Sequence, residues 1–339
     1  MRALHGIATH AWDDWTLGDL LAAKVAAGTT VSLVVPARNE AATVGDVVTR
    51  VREALVETTA LIDELIVVDS DSTDTTYDVA TDAGATVHRS AEIRPDLGSH
   101  PGKGEAMWKS LFVTTGDLVV FMDADLLDWD THFVPGLLGP LLLPSPGLEA
   151  SGPAALAPRP AASTEVEERA QRASRDPVSR VALVKGFYER PGADGPWEGG
   201  RVTELVARPL IATSFPELGG LVQPLAGEWA ARRSLLEQLW MPTGYAIELA
   251  ALIDTVRLVG TDAVAQVDLG RRAHRHQALR DLGGMSTQIV AAALARLGAR
   301  EVGAPAVLRQ HGPGPGGMLT SDDRDVVTVE RPPAGGVGG

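Results

Sequence analysis

Short runs of apolar residues alternate with amphipathic segments through the first third of the chain. Residues 31–35 (VSLVV) and 65–68 (LIVV) are continuous apolar runs, which is the pattern of parallel strands covered on both faces. Between them, apolar residues from Val44 to Leu55 recur at helical spacing. Three more elements are expected here: a strand near 85–88, a helix at about 104–115 and a strand at 118–122. This alternation predicts an α/β fold with a mostly parallel central sheet flanked by helices.

The second half of the chain has a less regular pattern. Strands are expected at residues 181–188 and near 263–269. Helices are expected at 202–213, 229–239, 247–259 and about 285–297, where Gly298 ends the last one. Residues 144–162 are rich in Pro, Ala, Gly and Ser and predict a surface excursion. The Gly- and Pro-rich sequence after His311 is expected to fray.

Polar residues cluster where three of the predicted strands end. Residues 36–40 follow the first strand, 69–74 follow the second and 123–125 follow the fourth. The carboxyl ends of parallel strands meet at one edge of a sheet, where doubly wound folds bind their ligands. We therefore expect a binding site made from these three segments. In the second of them, Ser72 or Thr73 is also expected to cap the next helix.

Asp123 and Asp125 are the candidates for a metal site. Two carboxylates one residue apart can serve a hard cation and a neighbouring hydroxyl together. Mg²⁺ and Mn²⁺ bind oxygen ligands and share their coordination with substrate phosphates. Taken alone, such a pair is more often a solvated turn. Its position at the end of a buried strand, beside two other polar strand ends, favours the metal site.

Three other segments carry candidate binding groups, each with an ordinary structural alternative. Lys103, between two glycines, can meet a phosphate or belong to a simple turn. Glu40 can contact a base or ribose, or cap a helix. Gly200, Arg201 and Thr203 open a predicted helix whose free amides suit a phosphate or carboxylate. The alternative there is a glycine loop with a capping threonine.

Charge restricts the possible partners. Of 339 residues, 44 are acidic and 30 are basic, which gives a net charge of −14. Such a field repels nucleic acid and anionic lipid unless cations are concentrated locally. Residues 271–276 do concentrate them, with five arginines and histidines in six positions. His274 can bind a metal through a neutral ring nitrogen, although a single histidine is more often a surface or core residue.

Composition narrows the class further. The chain has no cysteine, which excludes disulfides and thiolate metal sites. No apolar stretch reaches the roughly 18 residues needed to cross a bilayer. The N-terminus has no apolar signal core, so we expect a cytoplasmic protein without a membrane partner. An NAD-binding oxidoreductase is disfavoured, because residues 36–40 rather than a glycine-rich turn follow the first strand.

Nine motifs taken together resemble the glucosyl-3-phosphoglycerate synthases, which are retaining glycosyltransferases of the GT-A fold. The resemblance runs from about residue 31 to residue 297, apart from the insert at 144–162. The motifs are PARNE (36–40), DSDSTD (69–74), PGKGEAMW (101–108), MDAD (122–125), VKGFY (184–188), GGRVTELVARPL (199–210), QPLAGE (223–228), GYAIE (244–248) and RAHR (272–275). GGRVTELVARPL is long enough to be specific, whereas many unrelated transferases share the paired aspartates.

This resemblance implies transfer of glucose from UDP-glucose to the 2-hydroxyl of 3-phosphoglycerate, with a Mg²⁺ or Mn²⁺ cofactor and a homodimeric enzyme. The implied nucleotide-sugar contacts are Pro36, Ala37, Glu40, Ser70, Lys103, Asp123, Tyr245 and Glu248. The implied metal ligands are Asp125 and His274. The implied acceptor contacts are Gly200, Arg201, Thr203 and His276. The implied catalytic groups are Asp123, the Leu225 backbone, Glu248 and Arg272.

Some alternatives stay open. The glucosyl enzymes have asparagine where this chain has His276, which leaves the acceptor contact and the donor open. One alternative is a mannosyl-3-phosphoglycerate synthase that uses GDP-mannose, and another is a non-catalytic nucleotide-sugar-binding protein. For retention, we favour front-face attack in which the diphosphate helps take the acceptor proton. Glu248 as a covalent nucleophile is the alternative mechanism.

The predicted organisation has five parts. They are an N-terminal segment (1–30), a nucleotide-sugar-binding half (31–130), a linker with the Pro/Ala-rich insert (131–180), an acceptor-binding and metal-completing half (181–310) and a flexible tail (311–339). The site then draws its residues from both halves. Small-molecule substrates, and not nucleic acid, are the expected partners.

Overall fold

A computed structural model describes residues 2–4, 6–143, 180–190, 200–272, 279–313 and 319–338. The predicted insert at 144–162 and the candidate residues His274 and His276 lie outside these ranges. The strands are β1 (Arg2–Leu4), β2 (Ile7–Ala11), β3 (Val31–Ala37), β4 (Glu64–Asp69), β5 (Thr86–Arg89), β6 (Leu118–Phe121), β7 (Leu183–Glu189), β8 (Trp229–Arg232), β9 (Met241–Pro242), β10 (Val264–Arg271), β11 (Ala306–Pro313), β12 (Leu319–Val326) and β13 (Glu330–Arg331).

Helices cover both faces of the central sheet. They are α1 (Leu17–Ala27), α2 (Val44–Val51), α3 (Thr76–Asp82), α4 (Lys103–Ser110), α5 (Phe133–Leu142), α6 (Arg208–Ser214), α7 (Arg233–Leu236), α8 (Ile247–Val259) and α9 (Leu279–Arg296). Two π-helical segments, Arg52–Thr58 and Thr203–Ala207, adjoin α2 and α6. Across the described ranges, none of the helices combines the length and apolarity that crossing a membrane requires.

The central sheet has nine strands in the order β1-β2-β10-β7-β8-β6-β3-β4-β5. Strands β3 to β6 pair in parallel, and so do β2, β10 and β7. Strand β8 runs antiparallel to both β6 and β7 and joins the two parallel groups. The prediction of a mostly parallel sheet with flanking helices is therefore confirmed.

The apolar runs of the sequence form strands because both faces of the sheet are buried. Leu33 and Val35 of β3 point into one apolar cluster, and Val34 points into the other. This follows from the two-residue period of a strand, which sends successive side chains to opposite faces. The first five residues of β3 are all buried. The two clusters thus leave the strand ends as the place for binding chemistry.

The predicted helix at 229–239 is wrong in its first part. Trp229–Arg232 is strand β8, and only Arg233–Leu236 is helical. The Trp229 ring lies 4.6 Å from that of Phe121 on the neighbouring strand. Pairing on both sides and this ring contact outweigh the helical spacing of the local sequence. A short buried strand and a helix segment cannot be separated by apolar spacing alone.

The predicted cap of the third helix is also wrong. Helix α3 begins at Thr76, with Thr75 before it, so neither Ser72 nor Thr73 is its N-cap. Both side chains bond instead to Asn39, in the loop after β3. The predicted helix at 247–259 has the bounds observed for α8. Helix α9 starts earlier than predicted and ends before Gly298, whose φ of +69° suits a residue after a helix.

Part of the predicted flexible tail packs onto the body of the protein. Strand β13 pairs with β9, and Trp108 Nε1 donates a hydrogen bond to the carbonyl of Pro332 at 2.8 Å. Val326 and Ala334 are buried, as is Arg331. These packed residues fall within the segment at 311–339 that the sequence predicts as a flexible tail, and that division of the chain remains a prediction. The Gly- and Pro-rich composition of this segment does not reveal these partners, of which Trp108 lies 224 positions earlier in the chain than Pro332.

Candidate active site

The ends of β3, β4 and β6 lie side by side at one edge of the sheet. The Ser70 backbone N–H donates to the carbonyl of Ala37 at 2.8 Å, which joins the ends of β4 and β3. The Met122 N–H donates to the carbonyl of Val34 at 3.1 Å, which extends the pairing of β6 with β3. Parallel pairing therefore brings the three polar segments together, as the sequence predicts.

The loops after β3 and β4 form one hydrogen-bonded rim. The Asn39 N–H donates to Ser72 Oγ at 2.9 Å, and the Thr73 N–H donates to Asn39 Oδ1 at 2.8 Å. Asn39 has a φ of +57°, a conformation that asparagine tolerates better than most residues. The Glu40 N–H donates to Thr76 Oγ1 at 2.8 Å. The candidate nucleotide contacts Glu40 and Ser70 lie in this rim, and Pro36 and Ala37 are the last two residues of β3, directly before it.

Asp123 is the centre of an ion network. Lys103 Nζ lies 2.5 Å from Asp123 Oδ1 and 2.8 Å from Glu248 Oε1. Arg272 Nη2 lies 3.2 Å from Asp123 Oδ2 and 3.1 Å from Asp125 Oδ1. Four segments that are distant in sequence therefore meet here. The structure brings together the candidate residues Lys103, Asp123, Asp125, Glu248 and Arg272.

The charges of this network are set by burial and by one another. Burial acts to lower the pKa of Lys103, but Asp123 and Glu248 outweigh it and raise that pKa above its usual value. Burial acts to raise the pKa of Asp123, but Lys103 and Arg272 hold it well below its usual range. Burial and the charge of Asp123 together raise the pKa of Asp125. At neutral pH, Lys103 is a cation and Asp123 is an anion.

Two glycines let Lys103 reach this position. Gly102 has a φ of +127°, and a Cβ there would overlap the carbonyl oxygen of Thr243. A Cβ at Gly104 would overlap the carbonyl oxygen of Pro242. The start of α4 therefore packs directly against the backbone that leads to Glu248. This close approach is the physical reason for glycine on both sides of Lys103.

Tyr245 and Glu248 are placed by the same backbone. The Tyr245 N–H donates to Gln288 Oε1 of α9 at 3.0 Å, while its side chain is 45% exposed. Burial raises the pKa of the Tyr245 hydroxyl. Glu248 is buried in the first turn of α8. The candidate sugar-facing residues thus present one exposed ring and one buried carboxylate.

The QPLAGE segment packs onto Asp123 from a different side. A Cβ at Gly227 would overlap the carboxylate of Asp123. Lys185 Nζ donates to the carbonyl of Ala226 at 2.5 Å, and the Gly186 N–H donates to that of Glu228 at 2.9 Å. Burial lowers the pKa of Lys185 to about 8. Strand β7 therefore fixes the backbone on both sides of Gly227, close to the candidate Leu225.

A second layer of polar groups lies behind Arg272, and the sequence assigned no role to it. Arg272 Nη1 lies 2.9 Å from Glu228 Oε2 and donates to the Tyr188 hydroxyl at 2.5 Å. That hydroxyl donates to Glu228 Oε2 at 2.9 Å, and Arg190 Nη2 donates to it at 2.7 Å. Burial raises the pKa of Glu228. Polar residues inside apolar strand-like runs, such as Lys185 and Tyr188, are the signal that could have revealed this layer.

The candidate acceptor residues lie beside this layer. A Cβ at Gly200 would lie 3.0 Å from Arg190 Nη1 and 3.3 Å from Thr203 Oγ1. Thr203 is buried and Arg201 is exposed. The helical segment begins directly after Gly200, so its first amides face the same region as these side chains. The predicted anion site therefore neighbours Arg190, a cation that the sequence did not single out.

The donor groups present suit a hard divalent cation. Asp125 supplies a carboxylate whose side chain is 38% exposed, and carboxylate oxygens are the ligands that Mg²⁺ and Mn²⁺ prefer. Within the described ranges, no group of three His, Asp or Glu side chains forms a complete metal site. The candidate ligand His274 lies outside those ranges. Arg272, two positions before that histidine, donates a hydrogen bond to Asp125 Oδ1 at 3.1 Å.

Comparison with known proteins shows the family. The sequence profile of glycosyl transferase family 2 matches residues 32–143. The glucosyl-3-phosphoglycerate synthase of Mycolicibacterium smegmatis is 44% identical over 300 residues, covering 87% of this chain and 86% of that protein. The Mycobacterium tuberculosis enzyme of the same name is 43% identical over 336 residues, covering 94% of this chain and 89% of its own length.

Solved structures agree with these relatives. A crystal structure of the Mycobacterium tuberculosis enzyme with Mn²⁺, UDP-glucose and phosphoglyceric acid has a TM-score of 0.77 and 41% identity, covering 97% of this chain and 98% of that one. Another, with Mn²⁺, UDP and glucosyl-3-phosphoglycerate, has the same TM-score of 0.77. Because such relatives match nearly the whole chain, this protein belongs to the glucosyl-3-phosphoglycerate synthases.

Proposed function

We propose that this protein transfers glucose from UDP-glucose to the 2-hydroxyl of 3-phosphoglycerate with retention, giving glucosyl-3-phosphoglycerate and UDP. The observation that carries the proposal is the network of Lys103, Asp123, Glu248 and Arg272 at the strand ends. It occurs in a chain that is 41% identical to an enzyme crystallised with Mn²⁺, UDP-glucose and phosphoglyceric acid. The names of the relatives and their bound substrates favour this donor over GDP-mannose.

The donor diphosphate is the leaving group, so negative charge grows on its oxygens as the bond to glucose breaks. Lys103 is the side chain that meets this charge, since its ion pairs keep it protonated. Pro36, Ala37, Glu40 and Ser70 hold the uridine nucleotide along the rim. Asp125, together with His274, holds Mg²⁺ or Mn²⁺, which neutralises diphosphate charge when bound.

The reaction itself needs no covalent enzyme intermediate in this account. The acceptor 2-hydroxyl oxygen bonds to the anomeric carbon as that carbon's bond to the diphosphate breaks, and the hydroxyl proton passes to a diphosphate oxygen. Glu248 is paired with Lys103 at 2.8 Å, and this pairing weakens it as a nucleophile. Asp123, Arg272 and the Leu225 backbone surround the reacting carbon. Detection of glucose covalently bound to Glu248 would replace this mechanism with double displacement.

The acceptor phosphate is bound by Gly200, Arg201 and Thr203 in this proposal. Thr203 is buried beside Gly200, and the helical segment begins directly after Gly200, at the end of a helix where backbone amides can donate to an anion. Binding energy from the phosphate, which does not react, then fixes the 2-hydroxyl at the anomeric carbon. His276 is proposed as a further acceptor contact.

A homodimer is proposed as the assembled enzyme, in the cytoplasm. Exposed apolar side chains near Arg296 support it: Trp240 is 52% exposed, Leu258 is 53% and Leu297 is 43%. Arg296 donates to the carbonyl of Trp240, and Arg257 donates to the carbonyl of Arg296, so the chain segments that carry these residues lie close together. Light scattering of the purified protein should give about twice the chain mass of 35.6 kDa.

A panel of nucleotide sugars with 3-phosphoglycerate tests the proposed function. UDP-glucose with Mg²⁺ should give glucosyl-3-phosphoglycerate at least about tenfold faster than GDP-mannose gives its mannosyl product. Faster mannosyl transfer would favour the alternative donor. Tight UDP binding without any product from UDP-glucose would favour a non-catalytic binding protein.

A further inference from the structure

Arg331, which eight residues follow in the given sequence, forms a buried ion pair with Glu105 of α4. Its Nε lies 2.7 Å from Glu105 Oε2, and its Nη2 lies 2.5 Å from Glu105 Oε1. Glu105 is 0% exposed and Arg331 is 7% exposed. The pairing is therefore bidentate and closed off from water, which makes it geometrically specific. Glu105 stands two positions after Lys103.

The same guanidinium also holds the loop that leads to Lys103. Arg331 donates to the carbonyls of Leu97 at 2.8 Å and Gly98 at 3.1 Å. Glu105 Oε1 accepts a hydrogen bond from the His100 N–H at 3.2 Å. Arg331 and Glu105 together thus tie down residues 97–105. This segment contains the only side chain that links Asp123 to Glu248 among the described residues.

Strand β13 holds the opposite wall of the site through its backbone. It pairs antiparallel with β9, and the Thr243 N–H donates to the carbonyl of Val329 at 2.9 Å. The carbonyl of Thr243 in turn accepts from the Glu105 N–H at 2.9 Å. Tyr245 and Glu248 follow within five positions of Thr243. The C-terminal strand therefore bonds to both segments whose side chains face the donor.

Glu330, the neighbour of Arg331, connects β13 to α8 through Arg296. Arg296 Nη1 lies 2.8 Å from Glu330 Oε1, and Arg296 Nη2 lies 2.6 Å from Asp254 Oδ2. Asp254 belongs to α8, the helix that carries Glu248 in its first turn. These are charged side chains with little exposure, so Glu330 and Arg296 lose a specific contact when β13 is displaced.

We infer that Arg331 is a positioning residue for donor binding, an inference that rests on the proposed function. By clamping Glu105, residues 97–98 and β9 to one another, it sets the distance between Lys103 on one side and Tyr245 and Glu248 on the other. It touches neither substrate. It acts through Lys103, whose ammonium must meet the diphosphate within a narrow tolerance.

Arg331→Met and Arg331→Lys variants of the full chain test this role. We expect Arg331→Met to raise the KM for UDP-glucose and the Kd for UDP by at least about tenfold, since small displacements near the reacting groups have large effects. The KM for 3-phosphoglycerate should change by less than about threefold, because the hydrogen bonds described for Arg331 go to Glu105, Leu97 and Gly98 rather than to the proposed acceptor residues. Arg331→Lys keeps the charge and should recover part of the loss.

The matched control is Arg309→Met. Arg309 also makes a bidentate pair, with Asp323 at 2.7 Å and 2.7 Å, but on the exposed hairpin of β11 and β12. It should leave both KM values unchanged. Thermal unfolding shows whether each variant folds. If Arg331→Met does not fold, the UDP affinity of Arg331→Lys tests the inference instead.

Two results would overturn the inference. One is wild-type affinity for UDP in a folded Arg331 variant, and the other is an equal rise in the KM of both substrates, which indicates general loosening. Failure of the proposed function is distinguishable, because the wild-type protein itself would then transfer no glucose. Titration with UDP would still report on Arg331 in that case.

Discussion

Asp123 illustrates how single residues define this site. Two cations, Lys103 and Arg272, contact its two oxygens, and the backbone at Gly227 closes against its carboxylate. Lys103 and Arg272 can be recognised in the sequence as cations that could pair with Asp123. Gly227 cannot be recognised in this way, because only the fold shows that a Cβ there would overlap the carboxylate. The sequence could thus identify Asp123 as a candidate but not the glycine that holds it.

Gly227→Ala tests this close packing. The new methyl group must displace the Asp123 carboxylate, so we expect kcat/KM to fall by about a hundredfold or more with the fold retained. The matched control is Gly18→Ala, since a Cβ there lies 3.8 Å from Thr16 Oγ1, an ordinary contact. Comparable activity of the two variants would show that Asp123 does not need its observed position.

Lys103→Met tests the cation that pairs with Asp123 and Glu248. Removing it leaves the partly buried Asp123 and the buried Glu248 without their shared partner and takes away the charge proposed to meet the diphosphate. We expect UDP binding, measured by calorimetry with Mg²⁺, to weaken by at least about tenfold. Lys24→Met is the control. Lys24 also forms an ion pair, with its Nζ 2.9 Å from Asp63 Oδ2, but this pair does not belong to the site. Retained UDP affinity in Lys103→Met would contradict the assignment.

Among the elements, β3, β4 and β6 were predictable and β8 and β13 were not. The first three are continuous apolar runs, because both their faces are buried. Strand β8 has a helix-like sequence that pairing with two neighbours overrides. Strand β13 has only two residues, and its contacts with β9 and Glu105 depend on chain segments far away. Because both faces of these strands are buried, polar residues at their ends stand out in the sequence and indicate the site. Tyr188 and Glu228 do not stand out in this way, because apolar residues adjoin them.

Glu64 fastens the amino-terminal ends of these strands. It accepts hydrogen bonds from Ser32 Oγ at 2.5 Å, from the Thr115 N–H at 2.9 Å and from Thr115 Oγ1 at 2.6 Å. Burial acts to raise the pKa of Glu64, but these bonds outweigh it and hold the pKa below its usual 4.5. A carboxyl group whose pKa is lower in the folded than in the unfolded state stabilises the fold at any pH above its unfolded-state pKa. This stabilisation is lost as the pH falls through its folded-state pKa.

Glu64→Gln should therefore lower the free energy of unfolding by about 1 kcal/mol at pH 7. The difference from wild type should shrink as the pH falls below 4.5, because the wild-type carboxylate becomes protonated. Urea unfolding at pH 7, 5 and 3.5 measures it, with the exposed Glu217→Gln as control. A difference that does not depend on pH would show that Glu64 stabilises the sheet without its charge.

At the scale of the whole molecule, both halves of the chain contribute to one site. Asp123 and Asp125 follow β6 in the first half, and Arg272 follows β10 in the second. On a protein with a net charge of −14, binding of a small anion requires a local convergence of cations such as this one. The division into two halves at the predicted boundaries remains a prediction.

Metal removal tests the proposal that Asp125 of the first half and His274 of the second half bind one ion. EDTA should abolish glucosyl transfer and leave the thermal unfolding temperature of the unliganded protein nearly unchanged, since the core does not depend on the ion. Asp125→Ala and His274→Ala should each remove metal-dependent turnover in the same way. Full activity in both variants would rule out these two residues as the ligands.

The most direct measurement is a crystal structure with Mn²⁺ and UDP-glucose, with the ion located by its anomalous signal. We expect one peak bound by a carboxylate oxygen of Asp125 and a ring nitrogen of His274, each at about 2.0–2.3 Å. We also expect Lys103 to contact the donor diphosphate. A peak that lies away from Asp125, or that His274 does not bind, would contradict the proposed metal site.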